Sequence, residues 1–254
     1  MNSYIIEEKT GYLLFTINRE DVRNAINYDV MEGIEKLLDM GKDKAYKALV
    51  ITGAGESAFC SGGDLSAFHQ LKTENESYQM LSKMSSILYR LLTYPKPTLA
   101  ILNGSAVGGG CELASACDFR IGRKGLKAGF IQGKLAITTG WGGGSILLEK
   151  LGITNALKLL MTADLYDSEQ LLAVGFLNEL YDGDQQQACQ LYIEKMLKLE
   201  TEVLSAYKKM VVRKWEETNL QKRIQEEVSN CAKLWQSEAH HQKVTSFLLK
   251  NKKM

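Results

Sequence analysis

The sequence has little proline, and neither sign of charge dominates it. Prolines occur only at Pro95 and Pro97. No Ser/Gly/Pro-rich linker or low-complexity tract is present, which argues against separate domains on a flexible string. Lys plus Arg number 31 and Asp plus Glu number 30, a formal net charge of +1. Because this balance gives no general attraction to nucleic acid or to an anionic membrane, we expect neither as a partner and favour a small-molecule ligand.

Cysteines are few and form no recognisable pattern. The five are an odd number with no CxxC pair, and none has a histidine at metal-ligand spacing. A reduced, cytoplasmic protein without a metal site is therefore expected. The N-terminal residues place acids and a glycine where a signal peptide would be apolar, and no apolar run approaches the roughly 20 residues that cross a bilayer.

Common cofactor and nucleophile motifs are also missing. Residues 129–134 (GFIQGK) have three residues between their glycines where a P-loop has four, and Leu135 replaces its Ser/Thr. No GxGxxG follows a strand, and there is no GxSxG elbow. His69, His240 and His241 lie among polar residues and are expected at the surface. No cofactor is therefore expected.

The most informative stretch is residues 98–118, TLAILNGSAVGGGCELASACD. It predicts a buried strand, a glycine-rich turn and the start of a helix. The free N–H groups of a helix start, with the helix dipole behind them, suit a negatively charged oxygen. Glu112 places a carboxylate beside this anion site, which favours catalysis. By itself, however, the stretch is equally compatible with a flexible loop and a dipole-pairing glutamate.

The rest of the chain predicts an α/β protein. Residues 4–9 and 12–18 predict a hairpin, residues 48–52 a buried strand, and the apolar spacing after Asn27 a helix that Gly41 ends. This alternation favours parallel pairing with short crossovers. From residue 185 the pattern is helical throughout. We therefore expect an α/β core over residues 1–184 and a helical region over 185–254.

Two loops that follow apolar strands, AFCSGGDL (58–65) and NGSAVGGGCELASACD (103–118), together resemble the crotonase superfamily, the enoyl-CoA hydratase/isomerase family. RNAIN (23–27), GWGGG (140–144) and FLLK (247–250) extend the resemblance over nearly the whole chain. The resemblance implies a crotonase-like ββα spiral with a C-terminal helical subdomain that serves oligomerisation and CoA contact. It further implies a homotrimer or hexamer acting on acyl-CoA, so that coenzyme A enters as part of the substrate.

The resemblance also implies roles for particular residues. The backbone N–H groups of Gly63 and Gly109 would hold the thioester oxygen, with Glu112 as the acid/base group. Fixed dipoles suit an enolate oxyanion in a water-poor site. The other residues implied to contact substrate or CoA are Arg23, Ala25, Ile26, Ser61, Gly62, Asp64, Leu65, Gln132, Trp141, Phe247 and Lys250.

One position departs from the family pattern. Hydratases of this family use two glutamates, and aligning GWGGG with the equivalent turn puts Gln132 where the second should be. An amide cannot act as a base. Decarboxylation of a short malonyl-type CoA or double-bond isomerisation is therefore predicted first. The alternatives are classical hydration, as in fatty-acid metabolism, and a non-catalytic acyl-CoA-binding homologue.

Overall fold

The computed structural model describes residues 2–251 as a two-sheet α/β core followed by helices. The strands are β1 (Tyr4–Lys9), β2 (Tyr12–Ile17), β3 (Ala48–Gly53), β4 (Ala58–Cys60), β5 (Thr98–Leu102), β6 (Ser105–Val107), β7 (Phe119–Arg123), β8 (Lys127–Gly129), β9 (Tyr166–Asp167) and β10 (Glu179–Tyr181). The α-helices are α1 (Tyr28–Met40), α2 (Leu65–Phe68), α3 (Glu74–Leu92), α4 (Gly109–Ala116), α5 (Gly143–Leu151), α6 (Ile153–Thr162), α7 (Ser168–Ala173), α8 (Gln185–Leu197), α9 (Thr201–Glu217), α10 (Leu220–Trp235) and α11 (Glu238–Asn251).

The larger sheet runs in the order β1-β2-β3-β5-β7-β10. β1 pairs antiparallel with β2, and the other neighbours are parallel. Every residue of β3 and β5 is buried, as expected for central parallel strands that helices cover on both faces. The predicted hairpin, the strand at residues 48–52 and parallel pairing are confirmed.

The smaller sheet runs β4-β6-β8-β9 beside the larger one. The chain supplies its strands in pairs: β3 then β4, β5 then β6, β7 then β8, the second of each pair joining the smaller sheet. This repeated step is the predicted ββα spiral. The sequence analysis missed β6, because Asn103-Gly104 signals a turn and only three residues separate it from the triple glycine.

Asn103 fixes the point where the chain passes from one sheet to the other. Its Nδ2 donates to the carbonyl oxygens of Gly55 (2.8 Å) and Ala58 (3.2 Å), and its Oδ1 accepts from Gly53 N at 3.2 Å. Asn103 is 2% exposed. One buried amide thus ties the end of β5 to the loop between β3 and β4, and these two segments lead into the two glycine loops.

The C-terminal part is helical, as predicted. α10 lies against α3 and α5, and a Cβ added to Gly140 or Gly142 would come within 2.8 Å of Cys231 or Ile224, respectively. The turn before α5 therefore rests directly on α10. That residues 185–254 form a separate oligomerisation region stays a prediction.

The predicted surface position is wrong for His240. Its side chain is buried, its Nδ1 donates to the Leu135 carbonyl oxygen at 2.7 Å, and its ring packs on Trp235 at a centroid distance of 4.8 Å. Val244, one turn later on the same face, is also buried. The polar neighbours in sequence lie on the other face of α11, so local composition misled the prediction where helical periodicity would have corrected it.

No helix in residues 2–251 is long and apolar enough to span a bilayer. Within the same residues, no group of three or more His, Cys, Asp and Glu side chains is arranged to hold a metal ion.

Replacing Asn103 by alanine should lower the free energy of unfolding by about 2–4 kcal/mol, because it leaves buried backbone groups without partners. Asn155→Ala is the matched control, since the Asn155 amide makes one long bond, to Val174 O at 3.4 Å. Urea unfolding at one protein concentration measures both. Equal effects of the two substitutions would contradict the role given to Asn103.

Candidate active site

Two glycine-containing loops meet at the end of the smaller sheet. Parallel pairing of β4 with β6 brings Cys60 beside Ala106. A Cβ added to Gly110 would lie 2.1 Å from the Cys60 carbonyl oxygen, and one added to Gly62 (φ +99°) would lie 3.2 Å from Gly109 N. The loops approach so closely that side chains are excluded, which is the physical reason for glycine here.

The N–H groups of Gly63 and Gly109 lie at this junction. Gly109 is the first residue of α4, whose first N–H groups have no partner within the helix. Gly63 and Ile26 form an isolated β-bridge, but the N–H group of Gly63 takes no part in it. Ile26 N donates to Gly62 O, and Asp64 N donates to Ile26 O. In the described part of the chain, neither Gly63 N nor Gly109 N donates a hydrogen bond. Two main-chain donors on adjacent loops can bind an oxyanion.

Glu112 lies one turn into α4 and is 3% exposed. Its Oε2 accepts hydrogen bonds from Trp141 N and Gly143 N, both at 2.9 Å. Its Oε1 accepts from Gln132 Nε2 at 2.9 Å and, at 3.4 Å, from Gly140 N. The turn that precedes α5 therefore holds the carboxylate in one orientation.

The pKa of Glu112 is raised to about 7, first by burial and then by the nearby charge of Glu227, while the backbone donors of Gly143, Trp141 and Gly140 oppose both effects. Desolvation disfavours the charged form and hydrogen bonds favour it. A carboxyl group with a pKa near 7 exists in both forms at neutral pH, as a group that gives and takes protons must.

Gln132 is the neighbour of Glu112, where the sequence alignment predicts it. It lies in a 3₁₀ helix (Ile131–Leu135) and is 9% exposed. Its Nε2 donates to Glu112, and its Oε1 is buried without a partner in residues 2–251. The site thus contains a carboxylate and an amide in hydrogen-bond contact.

The Trp141 ring covers the glycine junction. A Cβ added to Gly109 would lie 2.2 Å from Cζ3 of Trp141, and one added to Gly63 would lie 3.5 Å from its Cζ2. Trp141 is 4% exposed. Its six-membered ring therefore forms an apolar wall directly beside both main-chain donors.

The RNAIN segment runs alongside the first glycine loop. Arg23 has a left-handed backbone (φ 54°), an exposed side chain, and a carbonyl that accepts from Ser61 N at 3.0 Å. The Ala25 and Ile26 side chains are buried. The structure therefore brings this segment to the candidate site, with only Arg23 projecting into solvent as a cation.

Asp64 and Leu65 begin α2, next to Gly63. The Asp64 carboxylate accepts from Ser66 N at 2.8 Å and pairs with Arg19 at 2.7 Å. Asp64 therefore caps the helix and holds Arg19, while Leu65 is half-buried.

Phe247 lies on α11 and is 40% exposed. α11 packs against the 3₁₀ helix that carries Gln132. The side chain of Lys250 lies outside the described residues, so its contact with CoA stays a prediction.

Glu227 and Thr139 were missed by the sequence analysis. Glu227 accepts from Ser145 N at 2.7 Å and from the Thr139 hydroxyl at 2.6 Å. The available signal was position: Glu227 follows the buried Ile224 by three residues, on the inward face of α10. An acid on an apolar helix face needs a partner.

Known proteins are similar to this chain in sequence and in fold. Residues 7–254 match the family model described as enoyl-CoA hydratase/isomerase. The chain is 32% identical to a short-chain-enoyl-CoA hydratase of Clostridium acetobutylicum over 184 residues, 72% of this chain and 70% of that protein. It is 31% identical to an ethylmalonyl-CoA decarboxylase of Xenopus laevis over 229 residues, 89% of this chain and 76% of that protein.

The fold agrees with a solved structure. A crystal structure of an enoyl-CoA hydratase from Bacillus halodurans superposes with a TM-score of 0.87 at 20% identity, covering 96% of this chain and 99% of that one. Aligned segments span between 54% and 76% of the length of the curated relatives.

The raised pKa of Glu112 predicts a pH-dependent stability. Since the pKa rises from 4.5 to about 7, the stabilisation from Glu112 is full below pH 4.5 and is lost as pH rises through 7. The unfolding free energy of wild type relative to Glu112→Gln should fall by about 2–3 kcal/mol between pH 5 and pH 8. Urea unfolding of both proteins measures this, and the variant cancels other pH effects. A difference that stays constant would contradict the raised pKa.

Proposed function

Because the chain belongs to the enoyl-CoA hydratase/isomerase family, we propose that it stabilises the enolate of a short acyl-CoA thioester and that its reaction is decarboxylation of a malonyl-type CoA. The observation that carries the choice of reaction is the Glu112–Gln132 pair, a carboxylate and an amide 2.9 Å apart.

The thioester oxygen is assigned to the N–H groups of Gly63 and Gly109. Decarboxylation breaks the bond between C2 and its carboxylate, and the electron pair moves through C2–C1 onto this oxygen as CO2 leaves. The enolate then takes a proton at C2. Main-chain donors need no reorganisation as charge develops, and each is typically worth about 100- to 1,000-fold in rate.

The proton count favours this reaction over hydration. Hydration removes one proton from water and delivers one proton to C2, and two carboxylates can each carry out one of these transfers. Decarboxylation needs a single proton, and the acid form of Glu112 can supply it because the pKa is about 7. Gln132 suits both forms of Glu112, since its Nε2 donates to the carboxylate and its Oε1 can accept from the acid.

The surroundings also favour loss of CO2. Among residues 2–251, no lysine or arginine hydrogen-bonds to Glu112 or Gln132, and the Trp141 ring lines the junction. A cation would stabilise the carboxylate of the substrate. An apolar wall instead favours neutral CO2 over that carboxylate, because it cannot solvate a charge. The decarboxylase relative also aligns over 89% of this chain.

Hydration is the second candidate. Relatives named as hydratases match at 30–33% identity, and the unpartnered Oε1 of Gln132 could accept a hydrogen bond from water. Glu112 would then have to carry out both proton transfers.

We further propose the assembly and CoA contacts. A trimer or hexamer would share the adenine site between subunits through Phe247 and Lys250. Arg23, Ala25 and Ile26 would lie against the CoA phosphates and adenine, a role supported by the exposed Arg23 beside the first glycine loop.

Wild-type protein should release CO2 from methylmalonyl- or ethylmalonyl-CoA faster than it hydrates crotonyl-CoA. Glu112→Gln should lower formation of the saturated thioester by about 100-fold, through loss of the proton donor. Gln132→Glu should raise crotonyl-CoA hydration above wild type, with Gln186→Glu on the exposed start of α8 as the charge-matched control. Mass spectrometry of the CoA products measures both reactions in the wild type and in the three variants.

Two results would overturn this assignment. Hydration of crotonyl-CoA by wild type at about 10 per second or faster, an ordinary enzyme rate, would make the chain a hydratase. Thioester binding without turnover of either substrate class would make it an acyl-CoA-binding protein.

Trp141 should limit the size of the acyl group. Trp141→Phe shortens the wall over Gly63 and Gly109, so kcat/KM for a malonyl-CoA with a longer alkyl branch should rise about tenfold relative to methylmalonyl-CoA, the usual effect of a methylene or two in an apolar pocket. Trp215→Phe is the control, because Trp215 is equally buried but lies on α9. An unchanged preference in Trp141→Phe would remove Trp141 from the acyl pocket.

A further inference from the structure

The N-terminal turn of α5 is shared by two carboxylates. Gly140 N, Trp141 N and Gly143 N donate to Glu112, whereas Gly144 N (3.1 Å) and Ser145 N (2.7 Å) donate to Glu227 of α10. The backbone of residues 140–145 therefore binds the carboxylate of Glu112 on α4 and the carboxylate of Glu227 on α10.

Glu227 is held in place at this turn. The Thr139 hydroxyl donates to its Oε1 at 2.6 Å and also accepts from Gly144 N at 3.2 Å. Ile224 and Cys231 flank Glu227 on the same face of α10 and lie against Gly142 and Gly140. The carboxylate is thus fixed by its own helix as well as by the donors it binds.

We propose that Glu227 is a positioning residue for the reaction, because it binds the turn that orients Glu112 and carries the Trp141 ring. A negative charge at this turn also disfavours a second negative charge on Glu112. This inference rests on the proposed function for its catalytic meaning, but the contacts that carry it are independent of the substrate. Two carboxylates on one turn repel each other, and protonation of the more buried one relieves that repulsion.

Few other titratable groups face Glu112. Cys231 of α10 and Cys111 of α4 lie near it, but burial raises the pKa of both thiols, so they stay neutral. Gln132, the neighbour of Glu112 from the 3₁₀ helix, carries no charge. Other charges on the packed elements have partners elsewhere. Lys134 pairs with Asp164, Lys222 with Glu226, and Glu149 with Lys214 and Arg223. Lys150 of α5 donates to the carbonyl oxygens of Ser115 and Cys117, at the far end of α4. Glu227 is the charged neighbour that acts on Glu112.

The test is a direct titration of Glu112 that requires no turnover. In protein carrying ¹³C-carboxyl glutamate, the signal lost in Glu112→Gln identifies the residue. Glu227→Gln should move the pH at which Glu112 is half ionised downward by at least about 0.5 unit, roughly threefold in proton affinity. Glu149→Gln is the matched control, because it removes another negative charge that lies between α5 and α10, and it should leave the midpoint unchanged.

A second variant keeps the test valid if Glu227→Gln does not fold. Glu227→Asp keeps the charge but withdraws it by one methylene, so an intermediate downward shift is expected. If the midpoint in every folded Glu227 variant equals that in Glu149→Gln, the inference is wrong.

Turnover separates this inference from the proposed function. With malonyl-type CoA, Glu227→Gln should lower kcat more than it changes KM and should move the pH profile in the same direction as the titration. Absence of turnover in wild type would refute the decarboxylase assignment while the titration still decides the role of Glu227.

Discussion

The contact between two stretches of main chain, residues 60–63 and 108–110, constrains the rest of the site. At Gly110 a single methyl group would lie 2.1 Å from the Cys60 carbonyl oxygen, far inside van der Waals distance. The pairing of β4 with β6 and the Asn103 amide at the crossing between the sheets hold these loops in contact. The pairing of the strands thus fixes the position of the candidate oxyanion site, and its N–H donors are held rigidly by the sheet.

Glu112 depends on a different part of the fold. Its carboxylate is buried, and the donors that compensate for its desolvation come from the turn before α5. That turn rests on α10, so a helix remote in sequence supports the proposed acid/base group. The pKa of about 7 is the net effect of burial and of the Glu227 charge, which favour the acid, and of three backbone N–H groups, which favour the carboxylate.

Much of the fold could be predicted from the sequence because its signals are local. Asn27 caps α1 through a bond from Val30 N, and the short apolar run Thr98–Leu102, bounded by a turn signal, is the predicted buried strand β5. The placement of Gln132 beside Glu112 was implied by the family resemblance, through alignment of GWGGG with the equivalent glycine-rich turn. By contrast, β6 is three residues long and exists because β4 and β8 pair with it. Glu227 is 115 residues from Glu112 in sequence, and His240 is buried by Trp235 and Leu135. Helical spacing places Glu227 and His240 on inward faces, but the groups that they contact there are set by tertiary packing, which no local pattern contains.

The donors assigned to the thioester oxygen belong to the backbone, and this separates two kinds of evolutionary change. A point mutation replaces a side chain and leaves an N–H group where it was, so the proposed oxyanion site at Gly63 and Gly109 survives any substitution that the close packing tolerates. The residues around it, Gln132 and Trp141, are side chains on other elements and can be exchanged one at a time. If the proposed function holds, a fold built in this way can change its reaction or its substrate in single mutational steps and still keep its main-chain donors for an enolate.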